Sequence, residues 1–282
     1  MSILVNHLDF IYNPGTVFER KALSDITFKI EDGEYIGLAG HTGSGKSTLV
    51  THLNGLMKPA SGGIYVDGVD IASDGYDMKK LRSNVGLVFQ YPEHQLFEED
   101  VFTDVCFGPK NLGLDRSEIE LRAYEALKAV GVKDDHFYIS PFDLSGGEKR
   151  RVAIAGVLAM KPRVLVLDEP CAGLDPKGRE EILAIADDLH DSLGITIIIV
   201  SHSMDDLADH VDRLLVMHEG KLVMDGPVRE VFMHRSELEN MGLAVPEATA
   251  VMSDLTKRGL NVRGDIITVE EAKAEILRAF GR

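Results

Sequence analysis

Tyr35-Ile36-Gly37-Leu38-Ala39-Gly40-His41-Thr42-Gly43-Ser44-Gly45-Lys46-Ser47-Thr48 decides the fold. An apolar run of strand length ends in a glycine-rich turn, and a helical pattern follows it with Leu49, Val50, Leu53, Leu56 and Met57. Gly40 to Ser47 fits the P-loop pattern in the context that pattern requires, between a strand and a helix. The glycines let successive backbone N–H groups converge on phosphate oxygens, and the helix N-terminus adds its partial positive charge. Lys46 is placed to reach the β- and γ-phosphates of a nucleotide, Ser47 to offer its hydroxyl to Mg²⁺, and Thr48 to donate to the α-phosphate. Gly40, Thr42, Gly43, Ser44 and Gly45 shape the cradle, whereas His41 stands at a position whose side chain need not act.

Working outward, apolar strand runs alternate with helical periods: Val85 to Phe89, Val164 to Leu167 and Thr196 to Val200. That alternation predicts an α/β fold with a mostly parallel sheet and crossover helices. Val164 to Leu167 and Ile197 to Val200 are apolar at consecutive positions, as central strands covered on both faces must be. Ile3 to Ile30 and Gly63 to Ile71 alternate more loosely, which predicts an antiparallel β-subdomain. From about 91 to 160 the chain turns helix-rich, with an amphipathic helix over Arg116 to Val130, so an inserted helical subdomain is expected. The sheet pattern ends near Phe232. This places a principal domain over 1–232 and a small α/β extension over 233–282, with helical turns at Glu247 to Arg258, a short strand at Asp265 to Ile267, and a final helix opened by a Thr268/Glu271 capping box.

Composition narrows the function. The 282 residues are 44% hydrophobic, ample for a buried core, and 46 acidic residues against 30 basic ones give a net charge of −16. Such a balance opposes attraction to a phosphate backbone, so no nucleic-acid partner is expected. Cys106 and Cys171 are too few for a disulfide framework and point to a reducing compartment. The longest apolar runs are far short of the roughly 18 residues a membrane span needs, so any membrane role has to come through a partner.

Further chemistry lies at strand ends. Val164 to Leu167 runs into Asp168-Glu169, a carboxylate pair held beside the P-loop in the Walker B manner: Asp168 as a Mg²⁺ ligand, Glu169 as the general base that polarises water. Leu144-Ser145-Gly146-Gly147-Glu148 precedes a second helix, and its Ser145 hydroxyl with the Gly146 and Gly147 N–H groups makes another anion site. With Ala172-Gly173-Leu174-Asp175 and Ser201-His202 after the next strand, five motifs in order resemble the ATP-binding cassette (ABC) ATPases. The resemblance implies a P-loop NTPase cassette that binds ATP with Mg²⁺ and closes head to tail on a second cassette, whose nucleotide meets Ser145, Gly146 and Gly147. By position, Gln90 matches the Q-loop residue that contacts Mg²⁺ and the catalytic water, Asp175 the D-loop residue at the interface, and His202 the switch histidine on the γ-phosphate. Tyr12 matches the aromatic that stacks on adenine, with Phe18 as the alternative.

Gln90-Tyr91-Pro92-Glu93-His94-Gln95-Leu96-Phe97, then Phe107-Gly108-Pro109-Lys110-Asn111-Leu112-Gly113 and Tyr12-Asn13-Pro14-Gly15-Thr16, is similar to the energy-coupling-factor transporter ATPases over essentially the whole chain. The likeness is greatest to the second ATPase of the pair. It implies a peripheral protein on the cytoplasmic side of the cell membrane that powers uptake of vitamins or of cobalt and nickel. Its expected partners are a second ABC ATPase, a transmembrane coupling protein and, indirectly, a substrate-binding membrane component. Leu96 and Phe97 are candidates for the groove that receives the coupling protein, with local core packing as their other reading. The extension resembles the part that holds the two ATPases together. Two positions depart from the family: Glu148 stands where Gln is usual, and Cys171 where Thr or Ser is usual. Two alternatives are the ATPase of another ABC importer or exporter, and a non-transport ABC ATPase. The latter is opposed by a single cassette, the absence of a long heptad insertion and the acidic charge.

Overall fold

The computed structural model describes residues 1–281. Strands β1 (Ile3–Tyr12) and β2 (Arg20–Ile30) pair antiparallel, and β3 (Tyr35–Gly40) delivers the chain through the P-loop to helix α1 (Lys46–Leu53). Strands β4 (Ser61–Val66) and β5 (Val69–Asp70) then complete a four-stranded antiparallel sheet in the order β2-β1-β4-β5. Helix α2 (Met78–Asn84) leads into β6 (Val85–Val88). Three helices follow: α3 (Val101–Leu112), α4 (Arg116–Ala129) and α5 (Gly146–Leu158), begun by the side-chain caps Asp100, Asp115 and Ser145.

The chain re-enters the sheet as β7 (Val164–Asp168), α6 (Pro176–Leu193), β8 (Thr196–Val200), α7 (Met204–His210) and the hairpin β9 (Arg213–His218) and β10 (Lys221–Pro227). The order is β10-β9-β3-β8-β7-β6, parallel except for the edge strand β10. Period-two alternation is visible in the packing. Leu165, Leu167, Ile197 and Ile199 face the cluster under the helices, while Val164, Val166, Ile198 and Val200 face the cluster shared with the antiparallel sheet. Fully burying each such side chain contributes about 1.5–3 kcal/mol, which makes this sheet the stiff frame on which the strand-end loops are mounted.

After the sheet come α8 (Val228–Met233), α9 (Arg235–Asn240), α10 (Glu247–Lys257) and α11 (Val269–Ala279). The strand expected at Asp265 to Ile267 is not formed, so the extension is helical rather than α/β. Ile266 and Ile267 are instead buried, Ile266 in a small cluster with Ala248, Met252 and Ala272, because two flanking helices satisfy their apolar side chains without a sheet partner. The capping box is half made: the Thr268 hydroxyl accepts the Glu271 N–H at 3.3 Å, but Glu271 turns to Arg229 and to the Ile267 N–H. Leu238, Leu243 and Val245 still pack into the main core.

Candidate active site

The P-loop bends where only glycine fits. Gly40 has φ +153°, and a Cβ there would lie 2.4 Å from the Met217 carbonyl oxygen; at Gly45, φ +105°, it would lie 2.7 Å from that of Ala22. Lys46 is buried, and its Nζ donates to the carbonyls of Gly40 at 2.6 Å and His41 at 3.2 Å. Burial lowers the lysine pKa, while the Glu169 and Asp168 charges act in the opposite direction. The His41 ring packs edge-on against His218.

The parallel register that opposes Asp168 on β7 to Val200 on β8 sets Glu169 and His202 side by side just past the strand ends. His202 Nδ1 lies 2.7 Å from Glu169 Oε2. Glu169 takes a left-handed backbone conformation, φ +50°, and its N–H donates to the Val200 carbonyl at 2.9 Å. Asp168 is 5% exposed, and its Oδ1 is buried without a partner. Burial, reinforced by the Glu169 charge, raises the Asp168 pKa against the pull of the Ser47 hydroxyl and Lys46. An orphaned buried carboxylate oxygen next to a hydroxyl and an ammonium suits a divalent cation bound with phosphate.

Lys46, Glu169 and His202 line one cleft of about 360 Å³ with Tyr12, Thr42, Gly43, Gly45, Ser47, Thr48 and Gln90, whereas Gly40, His41, Ser44 and Asp168 are not among its lining residues. Tyr12 enters it, its hydroxyl 3.1 Å from Thr48 Oγ1, whereas Phe18 points to solvent at 77% exposed. Arg20 and Ala22 also line the cleft and are absent from the sequence reading. Arg20 reaches it through a 3.3 Å bond to the Gly43 carbonyl, a backbone contact that leaves no trace in sequence.

Ser145, Gly146, Gly147 and Asp175 do not line that cleft. Ser145 caps α5 in a full capping box with Glu148: its N–H and hydroxyl donate to Glu148 Oε2 at 3.0 and 2.6 Å. Glu148 also lies 3.3 Å from His136 Nδ1. Asp175 caps α6, accepting the Gly178 N–H. Cys171 is half-buried, and burial pushes its thiol up to about 11, which disfavours the reactive thiolate.

Residues 23–172 match the ABC transporter family. The chain belongs to that family. Among relatives of the ABC chain, the energy-coupling factor transporter ATP-binding protein EcfA2 of Caldanaerobacter subterraneus is 52% identical, across 99% of this chain and 97% of that protein. This ABC chain is thus a member of the energy-coupling factor ATP-binding subunits and an ATPase. Among solved structures, cbiO1 of Clostridium perfringens, part of the ABC transporter complex cbiONQ, superposes with TM-score 0.74 at 41% identity, covering 85% of this chain and 94% of that one. The ATP-binding cassette MJ0796, solved as a dimer in a post-hydrolysis state with ADP and Pi, gives TM-score 0.71 at 27% identity, covering 80% and 98%.

Proposed function

We propose that this chain hydrolyses ATP with Mg²⁺ to energise an energy-coupling-factor importer for a vitamin or a transition-metal ion. The observation that supports it most is the division of the motifs: ten expected ATP-site residues share one cleft, while Ser145, Gly146 and Gly147 lie outside it. A second anion site unused within its own subunit calls for a partner cassette, and the dimeric relative bound to ADP and Pi favours that pairing. The P-loop N–H groups, Lys46 and Thr48 hold the phosphates, Tyr12 stacks on adenine, and Glu169 takes the proton from the attacking water while His202 orients Glu169 and meets the γ-phosphate. Ser47, Asp168 and Gln90 would hold Mg²⁺, which supplies charge neutralisation at the β- and γ-phosphates.

The membrane partner is assigned to a mainly apolar groove of about 610 Å³ between α2, α3 and α5. Phe97, 57% exposed, and Phe107 meet edge to face on its rim at 5.0 Å, while Leu96 is buried, so of the two candidates Phe97 is the presented one. Buried Asp104 fixes this rim by accepting the N–H groups of Phe97 and Glu98 at 2.8 and 2.9 Å. No described helix is long and apolar enough to cross a membrane, so the chain would sit on the cytoplasmic face through that contact. Residues 1–232 would form the cassette, with the helical subdomain near 91–160, and 233–282 would join the two ATPases. The test is a mild-detergent pull-down of the tagged chain from native membranes. Co-recovery of a second cassette and a polytopic protein, with ATPase activity dependent on them, is expected; recovery of soluble proteins alone would overturn the transport reading. Deleting residues 235–282 should weaken assembly more than ATP binding.

A further inference from the structure

Arg150 heads the fully buried large side chains at 2% exposed, yet it touches neither the nucleotide cleft nor solvent. A guanidinium in such a place must be fully partnered, because leaving a buried charge unmatched is strongly destabilising. Its partners come from two other segments. Nε and Nη2 hold the Glu93 carboxylate side-on at 3.2 and 2.8 Å, and Nη1 donates to the carbonyls of Pro170 and Ala172, both at 2.9 Å. Burial works to raise the Glu93 pKa, but the Arg150 bonds and charge prevail and hold it below its ordinary value, which keeps the Glu93 carboxylate ionised at neutral pH.

The geography gives this side chain a task. Glu93 lies on the 3₁₀ turn Pro92–Gln95, directly between Gln90 in the cleft and Phe97 on the apolar groove. Arg150 sits in the second turn of α5, five residues after the Ser145 cap. Pro170 follows Glu169, and Ala172 begins the run to Asp175. Gly173 faces Tyr91 across the same gap, close enough that a Cβ added there would lie 3.7 Å from the ring. Planar guanidinium is suited to such a junction because its fork fixes direction as well as distance.

We propose that Arg150 is a positioning residue: it clamps the Glu169–Asp175 loop to the turn that carries Glu93, so that a push on the Phe97 groove shifts the Glu169 carboxylate and the signature helix together. The coupling half rests on the groove being the membrane-partner site; the positioning half does not.

Two substitutions that keep both charges test it in the assembled cassette pair, with and without the polytopic partner. Arg150→Lys preserves the ion pair but cannot span Glu93 and two carbonyls at once. It should lower kcat roughly tenfold or more while KM for ATP and the unfolding temperature stay near wild type. A kcat within about twofold of wild type, or a loss that merely follows the loss of folded chain, overturns the assignment. Glu93→Asp shortens the arm on the membrane side. It should lower the unstimulated rate less than Arg150→Lys does but abolish stimulation by the polytopic partner, and full stimulation overturns the relay. If wild type is not stimulated either, the groove reading falls, and the Arg150→Lys kcat still decides the clamp.

Discussion

The two ends of the six-stranded sheet follow opposite rules. At its amino end, charges are matched: Asp32 holds the Met1 amine at 2.7 Å and Arg163 at 2.8 Å, Arg213 joins Glu34 and Asp225, and Tyr35 and His210 share Asp187. At its carboxyl end, Asp168 Oδ1, Ser44 Oγ and His218 Nδ1 are buried without partners, and Glu169 is held at positive φ. One end satisfies its polar groups to stay folded. The other leaves polar capacity unused within the chain, as the proposed nucleotide site requires, and the matched end supplies the stability that makes this tolerable.

The comparison breaks most sharply at Glu169. Glu169→Gln should cut ATP turnover by roughly 10²–10⁴-fold with ATP binding and thermal unfolding unchanged, read by phosphate release and retained nucleotide. Wild-type turnover would remove Glu169 as the base. Arg213→Ala probes the matched end and should show the reverse: stability falls by about 1–3 kcal/mol in denaturant titration, while turnover per folded chain holds.

His210 sharpens the contrast through pH. Burial disfavours the charged ring, but Asp187 at 2.8 Å, helped by Asp209 and Asp206, raises its pKa above the ordinary histidine value. Its contribution is therefore complete below about pH 6.5 and is lost as pH rises through the raised value, a change of at most about 1 kcal/mol. Denaturant midpoints across that window should fall in wild type and stay flatter in His210→Asn. The smallest effect belongs to Glu148, whose bonds from the Ser145 hydroxyl and N–H lower its pKa and keep it charged. Glu148→Gln should leave folding unchanged and tighten ATP-driven dimerisation about twofold, ~0.4 kcal/mol, by sedimentation. An unchanged constant would show that Ser145 and His136 already quench that charge.

What was legible in the sequence is what is written locally. β3, β7 and β8 announce themselves because burial on both faces demands unbroken apolar runs, and the P-loop and Asp168-Glu169 are contiguous with them. β10 is harder to see: it is an edge strand with no buried residue and ends in Gly226 and Pro227, which read as a turn. The Asp265–Ile267 segment has strand composition, but helix packing claimed its side chains. Arg20 and Arg150 escaped because they bond backbone carbonyls 20 to 23 residues away, which carry no residue identity, and because Arg150's one side-chain partner, Glu93, lies 57 residues upstream.

Glu169 shows what its backbone strain accomplishes. A non-glycine residue at φ +50° costs of order 1–3 kcal/mol, and here the Val200 carbonyl, itself at the end of a fully buried strand, holds it in place. With its backbone held and its Oε2 2.7 Å from His202 Nδ1, the carboxylate of the proposed base has less freedom left to surrender when water and phosphate arrive. Part of the entropy of reaching the reactive arrangement has been surrendered once, when the protein folded, and need not be surrendered again at each turnover.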